Sequence, residues 1–73
     1  LHVIELPPEA YAIGKSIEQF MTENMPLQIA QFSRKGFKSY QPDPSTILQP
    51  HDVLVIMGTH DEIYMAEEKL LQG

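Results

Sequence analysis

The residues able to do chemistry in this chain are few and scattered. Gly14-Lys15-Ser16 has the form in which a phosphate-binding loop ends, G-x-x-x-x-G-K-[ST]. The first glycine of that motif falls at position 9, which is Glu9, and a carboxylate there repels phosphate. The tripeptide reads more simply as a turn glycine followed by a helix N-cap. His2, His51 and His60 are the histidines, and none pairs with another His or acid at metal-ligand spacing on one helix face. Ser16, Ser33, Ser39 and Ser45 supply hydroxyls, yet no nucleophile-elbow pattern surrounds any of them. Asp43 and Asp52 sit in turns, where Asp is favoured for accepting backbone hydrogen bonds. No catalytic residue and no metal ligand is assigned, and the chain is expected not to be an enzyme.

Arg34, Lys35 and Lys38 hold three of the five positive charges. Such a cluster keeps a hairpin edge soluble. It is also where an anion or an acidic surface would dock.

The 73 residues make one small domain, 1–73, with 42% apolar and 21% charged residues, a globular composition. Ten acids against five bases give a net charge of −5, which disfavours nucleic acid and anionic bilayers as partners. No apolar run reaches the ~20 residues of a membrane helix, so direct membrane insertion is not expected. Without cysteine there is no thiol nucleophile, no Cys metal site and no disulfide. The chain opens at Leu1 inside a strand-like segment, which reads as a domain of a longer protein.

The elements follow from pattern. Residues 2–6 alternate as a strand that Pro7-Pro8 ends. Ser16 with Gln19 forms a capping box, and Ile17, Phe20, Met21 and Met25 follow at helical spacing, predicting a helix over 16–24 stopped by Pro26. Residues 27–34 read as a strand with apolar residues on both faces. Lys35-Gly36 is a turn, and 37–40 completes a hairpin. Residues 41–46 form a proline-set loop, pinned to the core by Ile47 and Leu48 as plugs. Residues 53–57, five apolar residues in a row, are the signature of a central strand buried on both faces. Thr59 with Glu62 caps a last helix whose stripe is Ile63, Ala66 and Leu70, with Gly73 at its C-cap. The fold class is therefore α+β in the order β-α-β-β-β-α: a small, mostly antiparallel sheet with two helices packed on it.

In this order the chain resembles the TrkA-type C-terminal domain, also called the RCK C-terminal domain, from about Val3 to Gly73. Ile13-Gly14-Lys15-Ser16-Ile17 matches the family's GKT/S-L opening of its first helix. Pro42-Asp43-Pro44-Ser45-Thr46-Ile47-Leu48-Gln49-Pro50-His51-Asp52 and the strand to Gly58 match P-x-P-x-T-x-L-x-x-G-D-x-L-x-x-x-G, with His51 in place of the usual glycine. The ending from Ala66 to Gly73 is most similar to copies in Kef-like cation:proton antiporters.

The resemblance implies a cytoplasmic regulatory domain of a potassium channel or transporter, its parent at the inner cell membrane. Its partners would be a second copy and an upstream membrane transporter or Rossmann-type domain. No cofactor is expected in this domain. Family members dimerise, and some bind small ligands, cyclic di-AMP among them, at the seam. The resemblance places that seam at Gln28, Ile29 and Ala30, with Pro42 as a wall. Gln28 brings an amide to an otherwise apolar strand, although a solvent-facing glutamine reads the same way. The net charge predicts weak or no binding of a doubly anionic cyclic dinucleotide, since only Arg34, Lys35 and Lys38 would offset its phosphates. The competing reading is a purely structural dimerisation domain with no small ligand, which the same fold supports. Dimerisation is expected in both, because the apolar residues on both faces of 27–32 need a second cover.

Overall fold

In the computed structural model, which describes residues 1–22, 25–26, 28–39 and 41–73, the chain runs β1 (His2–Glu5), a 3-10 turn (Ile17–Phe20), β2 (Met21–Thr22), β3 (Met25–Pro26), β4 (Gln28–Arg34), β5 (Phe37–Ser39), β6 (Val53–Met57) and α1 (His60–Gln72). The main sheet has the order β1-β6-β4-β5, with every neighbouring pair antiparallel. β2 and β3 pair separately. Residues 23, 24, 27 and 40 fall outside the described residues. The end of the expected first helix, the first residue of the expected second strand and Tyr40 lie there.

β6 lies between β1 and β4, the position its apolar run predicts. Side chains alternate along it. Leu54 and Ile56 face inward beside Ile4, Leu6 and Phe32, and all five are buried. Val53, Val55 and Met57 face the other way and are only partly covered. One face of the central strand is thus buried within the chain and the other is open, which corrects the expectation that both faces are buried: no described element packs on the Val53, Val55 and Met57 side.

The apolar residues of β4 do not divide between faces as their spacing suggests. The register with β6 shifts between Ile29 and Gln31. This irregularity changes the phase of the alternation. Ile29 and Phe32, which strict alternation would set on opposite faces, both belong to the core side. Gln31 and Ser33 take the open face, opposite Val55 and Val53. The argument for a second copy from apolar residues on both faces of β4 is corrected accordingly: the open apolar stripe belongs to β1 and β6.

The first helix shortens to one 3-10 turn. Ile17 N–H donates to Thr46 O at 3.0 Å and Glu18 N–H to Pro44 O at 2.9 Å, so the proline loop satisfies its first donors. One turn suffices to bury Ile17 and Phe20, and the backbone leaves helical geometry at Met21. So short a helix has little stability of its own to carry it further. Its capping box survives in part, with Ser16 N–H donating to Gln19 Oε1 at 3.2 Å.

Of the two expected plugs only one is inside. Leu48 is 1% exposed and Ile47 is 50% exposed. The segment runs extended against Ser16, and neighbours on an extended chain face opposite sides.

α1 forms as its caps predict. Thr59 Oγ1 accepts from Glu62 N–H at 3.2 Å, and the Glu62 carboxylate accepts from Thr59 N–H at 2.8 Å. Ala66 and Leu70 are buried and Ile63 packs beside them. Gly73, at φ +94°, closes the helix with its N–H on Lys69 O. Lys35 and Gly36 both have positive φ, the geometry of a two-residue hairpin turn.

Candidate functional site

The proline loop is held by backbone pairing rather than by its own prolines. Gly14 N–H donates to Leu48 O, Leu48 N–H to Lys15 O, and Ile17 N–H to Thr46 O, at 2.8–3.0 Å. Asp43 folds the loop locally by accepting from the Ser45 N–H at 2.8 Å and the Ser45 hydroxyl at 2.7 Å. Those two bonds, the backbone one first, hold the Asp43 carboxyl below the usual carboxylate range.

This pinning sets Pro42 against the 3-10 turn and the start of β4. Ile17, Met21, Ile29, Gln41 and Pro42 line a cleft of about 210 Å³. Its walls are mainly apolar, and Gln41 brings the amide. Of the four residues assigned from sequence, Ile29 and Pro42 meet in this cleft. Gln28 does not line it: it is exposed and pairs with Met57 one position before Ile29. Ala30 sits at the irregularity in β4, half-buried, and does not line it either. Ile17, Met21 and Gln41 went unassigned because Ile17 and Met21 read as helix core and Gln41 as loop.

The cationic cluster is smaller than the sequence suggests. Arg34 is bound by Asp52: Nε donates to Oδ1 at 2.8 Å and Nη2 to Oδ2 at 2.7 Å. Nη2 also donates to Ile47 O at 2.8 Å, and Gln49 N–H donates to Asp52 Oδ2 at 2.8 Å. Asp52 is 1% exposed, and its hydrogen bonds raise the Arg34 pKa above the ordinary guanidinium value. The guanidinium also lies 5.3 Å from the Phe32 ring. Lys35 and Lys38 remain as the exposed cations of this hairpin.

The other candidates are held in structural roles. Lys15, of the G-K-S tripeptide, donates to Tyr11 O at 2.9 Å and lies 4.0 Å over the Tyr11 ring. His2 Nε2 is 3.1 Å from Glu67 Oε2, and His51 Nδ1 is 3.3 Å from Glu5 Oε2. His2 and His60 also border a shallow groove beside α1, with Tyr64 and Glu67. Among the described residues no cluster of three His, Cys, Asp or Glu is placed to hold a metal ion, and no helix is long and apolar enough to cross a membrane.

Comparison with solved structures finds a likeness to the RCK_C domain dimer of S. agalactiae BusR in complex with cyclic di-AMP. The identity is 17%, the TM-score 0.74, and the alignment covers 94% of this chain and 91% of that one, a likeness of fold. No curated protein matches the chain. The TrkA-C domain family model matches residues 1–71, the whole sheet and nearly all of α1. The chain belongs to the TrkA-C domain family.

Proposed function

We propose that this domain is the dimerising, ligand-sensing regulatory module of a monovalent-cation transporter, either a potassium transporter or a cation:proton antiporter of the Kef-like kind. It works on the cytoplasmic side of the cell membrane and does no chemistry itself. Family membership supports the regulatory role. The solved RCK_C dimer of like fold supports assembly in pairs.

The observation that carries the reading is the edge of β4. Among the described residues, β5 pairs only with Phe32, Ser33 and Arg34. Residues 28–31 therefore meet β6 on one side and no described strand on the other. An open strand edge is a template for pairing, and the same strand of a second copy is the symmetric solution. The cleft of Ile29 and Pro42 adjoins that edge, so a ligand in it would touch the seam. Gln28 and Ala30 would then contribute from the seam rather than from the cleft wall.

The ligand is a small, largely apolar molecule with one group that hydrogen-bonds an amide. A doubly anionic cyclic dinucleotide is opposed by the net charge of −5 and by the commitment of Arg34 to Asp52. Calorimetry with a panel of small, largely apolar amides and alcohols, with nucleosides and cyclic di-AMP beside them, on wild type and on Ile29→Ala and Gln41→Ala, tests the reading. Binding weakened tenfold or more by both substitutions supports the cleft. Affinity indifferent to both overturns it. Tight cyclic di-AMP binding overturns the charge argument, and no binding across the panel leaves the purely structural dimerisation domain standing.

A further inference from the structure

The sheet has one face under α1 and the 3-10 turn and one face that no described element covers. On that open face lie Val3, 63% exposed, Met57, 44% exposed, and the half-covered Val53 and Val55. One cross-strand row is informative. Glu5 pairs with Val53, Val53 with Ser33, and Ser33 with Lys38, so these four side chains cross all four strands in line. An acid stands at the β1 edge and a base at the β5 edge. Three strand spacings of ~4.8 Å separate them by ~14 Å, too far for contact within one chain.

We infer that this open face packs against the same face of a second copy, in a contact separate from the β4-edge seam. A two-fold axis parallel to the strands and between β6 and β4 turns the row end for end. It sets Glu5 of each copy over Lys38 of the other and Val53 over Ser33. Packed sheets lie ~10 Å apart, a gap that a Glu and a Lys side chain reaching toward each other span. The row is self-complementary, as an isologous contact requires. Self-complementarity is what favours a second copy over another partner. At a net charge of −5 two copies repel in general, and this register offsets the repulsion with two opposite-charge contacts. Glu5 Oε2 already meets His51, which leaves Oε1 for the partner's ammonium. A face of four short strands sits at the low end of interface areas, so the association is weak and is measured up to millimolar concentration.

The test is a charge swap read by sedimentation equilibrium: Glu5→Lys, Lys38→Glu and the double variant. Both side chains are exposed, and circular dichroism confirms that each variant keeps its fold. The single substitutions move the net charge in opposite directions, so general repulsion alone would strengthen association in Glu5→Lys and weaken it in Lys38→Glu. The paired contact instead predicts that both singles weaken association, by roughly tenfold, because each sets like charges opposite one another. The double variant recovers wild-type association. If the β4-edge seam also forms, its two-fold, normal to the sheet at the free edge of β4, does not meet the face axis, so the two contacts together link copies into open chains that the singles shorten to dimers; if it does not, the singles convert dimer to monomer, so the two contacts fail separately. A monomeric wild type, opposite effects of the two singles, or a double variant that does not recover would overturn the inference.

Discussion

Arg34 at the end of β4 and Asp52 just before β6 form a two-pronged ion pair, Nε to Oδ1 at 2.8 Å and Nη2 to Oδ2 at 2.7 Å. The pair is lopsided: the Arg34 side chain is 29% exposed and the Asp52 side chain 1%. Its two ends therefore respond differently to loss. Arg34→Ala leaves a buried carboxylate uncompensated, at a cost of about 3–5 kcal/mol. That is a large share of what a small domain has. In Asp52→Asn the guanidinium can turn to water, so the loss is smaller. Urea denaturation of the two variants checks this order, and an Arg34→Ala domain as stable as Asp52→Asn would contradict it.

Leu48 and Ile47 are adjacent and similar in volume, yet only Leu48 is in the core. Leu48→Ala is expected to cost about 2–5 kcal/mol, through lost transfer energy and the cavity it leaves. Ile47→Ala should fall within about 0.5 kcal/mol of wild type, as for other surface positions. Equal melting shifts for the two would mean that the proline loop docks the other way round.

His51 has φ +70°, a left-handed backbone that side chains other than glycine resist. The related pattern carries glycine there. His51→Gly relieves the backbone but frees the unfolded chain and gives up an exposed contact with Glu5. These effects are each about 1 kcal/mol and offset one another. His51→Val keeps the strain and adds a β-branch, so it should melt clearly lower than His51→Gly. A valine variant that melts with the glycine variant would show that this turn tolerates any residue.

Asp43 gives a pH signature. Its folded pKa lies below the ordinary carboxyl value because the Ser45 N–H and then the Ser45 hydroxyl donate to it. A depressed pKa contributes stability at pH above the unfolded value of about 3.9, and that contribution is lost as pH falls through the folded value. NMR titration should place the Asp43 midpoint below 3.9 and show the Ser45 amide resonance moving with it. A midpoint at or above 3.9 would mean that the loop is not held by this side chain.

Much of this domain could be read from residues close together in the chain. The five apolar residues of β6 gave its central place, the Thr59–Glu62 box the start of α1, Gly73 its end, and Lys35-Gly36 the hairpin. The caps and the turn rest on interactions within a few residues, which one stretch of sequence contains in full, and an unbroken apolar run marks a strand with neighbours on both sides whichever strands they are. The family resemblance was legible for the same reason, since its motifs are runs of turn and cap residues at set spacing.

What only the tertiary structure decided depends on register. The shift between Ile29 and Gln31 sends Ile29 and Phe32 to one side, so the open apolar face comes from Val3, Val53, Val55 and Met57 instead of β4. Pairing of residues 14–18 with the proline loop cut the first helix to a single 3-10 turn and brought Pro42 to Ile29, while Gln28 stayed outside the cleft. The partner of Arg34 lies 18 residues on, and spacing alone does not reveal it. One residue's slip in a strand reverses which face a side chain takes. That phase is set by hydrogen bonds to a distant strand, and no local pattern of residue types carries it.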